Sequence, residues 1–218
     1  MLAKVLSGAL IGIDAYPVEV EVDVVQGLPQ FATVGLPEGA VRESKDRVKA
    51  AIKNSGYEFP VRRITINLAP ADIKKDGTAF DLPMAVGLLK ATGALKPGRS
   101  GRYILMGELS LDGQVRPVRG VLPVALAARS WDVAGLILPA ENACEGAIVE
   151  ALPVYGVRDL GEVVDFLAGH NHLEPCTLDV PGLFRQCAVS AEDFAEVRGQ
   201  EHVKRALEVA AAGSHNVL

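Results

Sequence analysis

A chain of 218 residues, 49% apolar and 22% charged, has the balance of a folded globular protein of one large or two small domains. Its net charge of −5 lacks the overall basic balance of a stand-alone nucleic-acid binder, so any such role must come from a local patch or from sequence outside this chain. No apolar run reaches the ~18 residues of a membrane span, and the N-terminal run is interrupted by Gly8, Gly12 and Asp14, unlike a signal peptide, so no membrane partner is predicted and the cytoplasm is the expected compartment.

Residues 2–13 read as a strand, with Asp14-Ala15-Tyr16-Pro17 as the turn after it. Over 17–25 the chain alternates Val with Glu or Asp, so Val18, Val20, Val22 and Val24 share one face and Glu19, Glu21 and Asp23 the other. That is a half-buried strand. Residues 27–37 add a turn and a third strand ended by Pro37, and the start is predicted as an antiparallel meander.

Residues 39–55 are predicted helical, with Val41, Val48, Ala51 and Ile52 at helical spacing and Asn54-Ser55-Gly56 as the stop. The outer face carries Arg42, Lys45, Arg47, Lys49 and Lys53 against Glu43 and Asp46, and Arg62 and Arg63 open the next strand. This most basic stretch of an acidic chain reads either as a solvated helix face or as a contact for nucleic acid or a neighbouring subunit.

A strand at 62–68 leads through the loop ADIKKDG to a helix over 81–92, with Asp81 as its N-cap and Pro83 in its first turn. A strand at 103–108 enters a tight turn at Leu111-Asp112-Gly113-Gln114, then a strand at 114–118 and a helix around 120–130. Strands at 135–138 and 153–157 alternate with helices at 141–147 and 159–167. Antiparallel strands followed by β–α units predict an α+β sandwich of a sheet and helices. Periodicity is lost over 169–189, which holds Pro175 and Pro181 and reads as a linker, and a further amphipathic helix follows the Gly199-Gln200 pair.

Few residues offer independent chemistry. Cys144, Cys176 and Cys187 are odd in number and irregular in spacing, which argues against a disulfide framework. His170, His172, Cys176 and Cys187 match no common structural-zinc spacing and read as ordinary loop residues. Thr78 carries a hydroxyl near Lys74 and Lys75, but these three are expected to shape a turn and face solvent. Asp76 and Gly77 are read as loop-forming, and Glu108 as a structural acceptor.

Two stretches, KDGTAFDLPMA (75–85) and GELSLDGQVRPVRG (107–120), resemble the active-site frame of the Lon protease domain. In that family the first stretch reads KDGPSAG and its Ser is the nucleophile. The matching position here is Ala79, and the position of the general-base Lys falls at Leu122. A methyl group cannot attack a carbonyl and an isobutyl group cannot take a proton, so the resemblance implies the fold without the peptidase dyad.

Together with VGLPEGAVRESKDRVKAAI (34–52) and the F-x-x-V-x-G-Q pattern from Phe194 to Gln200, these stretches resemble the ComM/YifB family of magnesium-chelatase-like AAA+ ATPases. The resemblance implies a Lon-protease-like domain over 1–168, related to the second domain of ribosomal small-subunit protein five, and the start of an AAA+ module over 190–218. It also implies a hexameric ATPase ring in the complete protein, using ATP and Mg²⁺ to drive DNA branch migration in recombination or natural transformation. Val197, Gly199 and Gln200 match the segment that lies on the adenine side of bound ATP in such modules. No G-x-x-x-x-G-K-[ST] occurs in these residues, so the stretch reads as part of a longer protein that binds no cofactor by itself.

Overall fold

The structure is a computed structural model that describes residues 1–96, 98, 102–150, 152–182 and 193–217. The chain divides into two compact units, Met1–Leu178 and Asp179–Leu218.

The first unit is built on a mixed seven-stranded sheet in the order β3-β4-β2-β1-β5-β8-β9. The strands are β1 (Leu2–Ile11), β2 (Asp14–Val25), β3 (Gln30–Val34), β4 (Arg63–Ala69), β5 (Tyr103–Leu105), β8 (Gly135–Pro139) and β9 (Val154–Val157). A separate short ribbon pairs β6 (Glu108–Leu109) with β7 (Val115–Arg116). The helices are α1 (Gly39–Asn54), α2 (Asp81–Thr92), α3 (Val121–Ala128), α4 (Ala143–Ala147) and α5 (Leu160–Ala168).

The period-two pattern of β2 does what its sequence demands. Val18, Val20, Val22 and Val24 are buried under α2, and the acidic face stays half-exposed. On that polar face Lys4 bridges Glu19 and Glu21 at 2.7 and 2.8 Å. Helix α2 is the centre of the larger core, with ten of its twelve residues buried. It lies close to the sheet because Gly87 has no side chain: a Cβ there would stand 2.6 Å from Val22 Cγ2.

The sheet has helices on both faces. The core that contains α1, α2 and α5 takes Leu105, Ile137 and Val157, whereas the core of α3 and α4 takes Ile104, Leu136, Leu138 and Val154. Alternate residues of β5 and β8 thus serve opposite cores, and these strands are apolar throughout. The α+β class with helices packed on a mixed sheet is as expected from the sequence.

Three local expectations are corrected. The start is not an antiparallel meander: β3 leaves β2 and pairs parallel to β4, so β4 lies between them. Its isolation from β2 follows from the long register of β2 on β4, from Glu19↔Ala69 to Val25↔Arg63. The first turn is at Gly12-Ile13, with Gly12 at φ 63°, and Asp14–Pro17 already belong to β2. Pro17 is tolerated there because the β4 ladder begins only at Glu19. Asp81 is not the N-cap of α2; Phe80 holds that position, and the Asp81 carboxylate turns inward.

Residues 169–178, read from sequence as the start of a linker, lie in the first unit. Leu173, Cys176 and Leu178 rest on its two cores, and the Cys176 N–H donates to Val154 O at 2.7 Å. In the second unit, residues 180–182 are helical and a 3-10 turn over Phe194–Glu196 precedes α6 (Glu201–Ala212). No described helix is long and apolar enough to cross a membrane.

Candidate functional site

The loop between β4 and α2, the end of β1 and the segment 106–119 enclose a groove of about 980 Å³. Thr78, Ala79, Asp76, Glu108 and Arg119 are among its lining residues. Its first wall is built around Lys75, which the sequence placed in solvent and the structure buries completely. The Lys75 ammonium donates to Ile73 O at 2.6 Å and also to Pro70 O, so the side chain closes the loop on itself from inside. Burial pulls its pKa below the ordinary lysine value. Its backbone locks the loop to the chain before α1: the Lys75 N–H donates to Leu36 O at 3.1 Å and the Glu38 N–H to Lys75 O at 2.9 Å. Lys74 remains exposed and pairs with Glu38 at 3.1 Å, and Thr78 is half-buried on the groove.

The floor is joined through Gly107. Its N–H donates to Ala79 O and its carbonyl accepts from Leu82 N–H, both at 3.0 Å. A Cβ at Gly107 would meet Val115 Cγ1 at 2.8 Å, so glycine is what permits this approach. Below the floor Asp81, 1% exposed, receives Arg47 at both oxygens (2.7 and 3.1 Å) and the Leu109 N–H at 3.2 Å. Burial nonetheless pushes its carboxyl up to about 6, against the pull of the guanidinium.

The opposite rim, 117–122, is held by two residues that carry no sequence signal of their own. Buried Asn142 receives the Val118 N–H at 2.8 Å and donates to Val118 O at 3.1 Å. Glu145 receives Asn142 Nδ2 at 3.0 Å, and at its other oxygen the Leu122 N–H at 3.0 Å, an otherwise unpaired donor in the first turn of α3. Both meet the rim only because α4 folds beside α3.

Ala79 and Leu122 both pack half-buried against the core of α3 and α4. Neither side chain carries a transferable proton or a nucleophilic atom.

The predicted basic residues separate into two groups. Arg42, Lys45, Lys49, Lys53, Arg62 and Arg63 are exposed on α1 and at the start of β4. Lys49 Nζ stands 6.0 Å from the Phe59 ring centroid, and Phe59 stacks with Phe31. Arg47 is different: it points inward to Asp81 and to Ala40 O, and is removed from the surface set.

In the second unit, Val197 O accepts from Lys204 Nζ at 3.1 Å, and Gly199 and Gln200 both adopt positive φ (73° and 57°) ahead of α6. No residue of α6 is buried, so Val203, Ala206, Leu207 and Ala210 have no core of their own. His170 and His172 are exposed beside Asp165 and Glu174, and Cys187 lies outside the described residues. Among the described residues no cluster of three or more His, Cys, Asp or Glu side chains could hold a metal ion.

Residues 20–142 match the family described as subunit ChlI of Mg-chelatase, and residues 193–218 match magnesium chelatase, subunit ChlI. The whole chain is 41% identical to competence protein ComM of Haemophilus influenzae, covering 43% of that protein. It is 43% identical to YifB of Salmonella typhimurium, covering 42% of it. A more distant similarity, 26% identity over 150 residues, connects 65% of the chain to 26% of Lon protease 2 of Bacillus subtilis. The chain thus spans less than half the length of the ComM and YifB relatives it matches from end to end. These matches establish that the chain belongs to the ComM/YifB family of magnesium-chelatase-like proteins.

Proposed function

We propose that residues 1–168 act as a non-catalytic, Lon-protease-like N-terminal domain of a magnesium-chelatase-like AAA+ ATPase, and that they contact DNA. Residues 190–218 open the ATPase module. In the complete protein this module forms a hexameric ring, takes ATP and Mg²⁺ with Val197, Gly199 and Gln200 on the adenine side, and drives branch migration in recombination or natural transformation. The similarity to a competence protein supports the setting, and the bare apolar positions of α6 suit a helix completed by the rest of such a module.

The observation that carries DNA contact is the exposed row of Lys45, Lys49 and Lys53 on α1 with Arg62 and Arg63 nearby in sequence. Among the described residues none of these five has a carboxylate within ion-pair distance, although the chain is acidic overall. Unpaired cations are free to displace counterions from phosphates, which is the source of salt-dependent affinity. The test is fluorescence anisotropy with single-stranded and branched DNA, using this chain and one extended through the ATPase module. Replacing the five cations with Ala should weaken binding and flatten the dependence of log K on log salt, by roughly 0.7–0.9 for each phosphate no longer neutralised. Unchanged affinity in the extended chain would leave the domain an assembly scaffold. Cleavage of a peptide substrate that Thr78→Ala abolishes would instead make it a residual peptidase.

A further inference from the structure

Two of the three cysteines meet in the first unit, at a place the groove and the basic face do not use. Cys144 is exposed on α4, and Cys176 is half-buried on the strap 169–178. The strap is brought to α4 through β9: the Cys176 N–H donates to Val154 O at 2.7 Å, and α4 rests on the same strand, where a Cβ on Gly146 would lie 3.4 Å from Val154 Cγ1. Cys176 packs against the cluster that holds Ala143 and Ala147, the α4 residues that flank Cys144, and its thiol, raised first by burial, also feels Cys144, so the two side chains are neighbours. They are 32 positions apart in sequence, so tertiary structure alone creates the pair.

We propose that Cys144 and Cys176 form a reversible disulfide on exposure to a hydroperoxide, stapling the strap to α4 three residues before the second unit begins at Asp179. The exposed Cys144 sulfur attacks the O–O bond of hydrogen peroxide. One oxygen is transferred to give a sulfenic acid, and the other leaves as hydroxide and takes up the thiol proton as water. The Cys176 sulfur, giving its proton to solvent, then attacks the Cys144 sulfur and displaces the second oxygen, which leaves as water. Two thiols and one peroxide become one disulfide and two waters, with two electrons passing from sulfur to oxygen. The order follows from exposure, and burial that raises the Cys176 thiol pKa keeps that group the resolving partner.

Such a bond closes the chain between 144 and 176 and holds the strap on β9 and α4.

The test uses hydrogen peroxide on the whole chain and on a Cys187→Ser variant, followed by alkylation of remaining thiols and non-reducing peptide mapping by mass spectrometry. A Cys144–Cys176 crosslinked peptide in both proteins, lost on adding dithiothreitol and absent from Cys144→Ser, is the expected result. The oxidised Cys187→Ser protein should also show a thermal midpoint about 5–10 °C above its reduced form. The proposal is overturned if Cys144 proceeds to sulfinic or sulfonic acid while Cys176 remains alkylatable. It is equally overturned if the whole chain forms its disulfide through Cys187 instead.

Discussion

The Arg47 guanidinium reaches from α1 to the Asp81 carboxylate at 2.7 and 3.1 Å, with Asp81 almost wholly excluded from solvent. This pair ties α1 to the first turn of α2, and through the Leu109 N–H to the strand that follows the groove floor. Removing one partner strands the other's charge in a dry place. Arg47→Ala should therefore cost about 3–5 kcal/mol at neutral pH. Lys49→Ala, on the same helix but facing out, should change stability by no more than about 0.5 kcal/mol. Urea unfolding of both variants decides it: equal costs would mean that Arg47 is only another surface cation.

The same carboxyl makes stability depend on pH. With a folded value of about 6 against an ordinary 3.8, Asp81 binds its proton in the native state where the unfolded chain has already released it. The native state then holds more protons, so the contribution of this group is largest below pH 4 and falls as pH rises to 6. The change is about 3 kcal/mol, from roughly two pH units at about 1.4 kcal/mol each. The stability of the wild type relative to Asp81→Asn should decline by that order between pH 4 and 6 and then level off. A difference that stays flat through this window contradicts the assignment.

Lys75→Met preserves most of the side chain's length and apolar stem but takes the donors from Ile73 O and Pro70 O. Two inward carbonyls are left without their partner, at a cost of about 1–3 kcal/mol. The loosening should be local. Amide exchange at Lys75 and Glu38, whose N–H groups join the loop to the segment before α1, should accelerate before exchange in β2 does. Uniform acceleration across the sheet would show that Lys75 supports the fold globally rather than the groove wall.

Ala79→Ser restores a hydroxyl without restoring a base, and no cleavage of a fluorogenic peptide is expected. Leu122→Lys places an ammonium against the apolar core of α3 and α4, where Leu122 is half-buried, and should lower the thermal midpoint. Peptide hydrolysis by the single Ser variant would mean that another group on the groove, such as the Lys74 amine, can serve as base.

Much of the scaffold was legible because its patterns are local. The helix over 81–92 is found over the same residues, and Val41, Val48, Ala51 and Ile52 form the buried face that their spacing predicts. The α+β class follows from strand and helix periods in chain order. The parts of the site that were not legible depend on partners distant in sequence. Asp81 looks like a cap because it is an Asp at the start of a helix, but Arg47, 34 positions earlier, takes its carboxylate inside. Lys75 looks solvent-exposed beside Lys74, and only the curled loop from Pro70 to Ile73 turns it inward. Asn142 and Glu145 have no motif at all, and their role exists because α4 lies beside the rim at Val118 and Leu122.

By itself, the sequence determined the element types, the apolar faces, the absence of a nucleophile at Ala79 and of a base at Leu122, and the family to which those stretches belong. Periodicity and side-chain chemistry are properties of the local chain and need no partner to be read. Tertiary structure alone decided that β3 lies outside β4, that Arg47 turns inward to Asp81 and Lys75 is buried, and that the Cys176 strap packs beside α4. Burial and pairing are set by which remote segments exclude water from a charge or thiol, and that information resides in the packing of the whole unit.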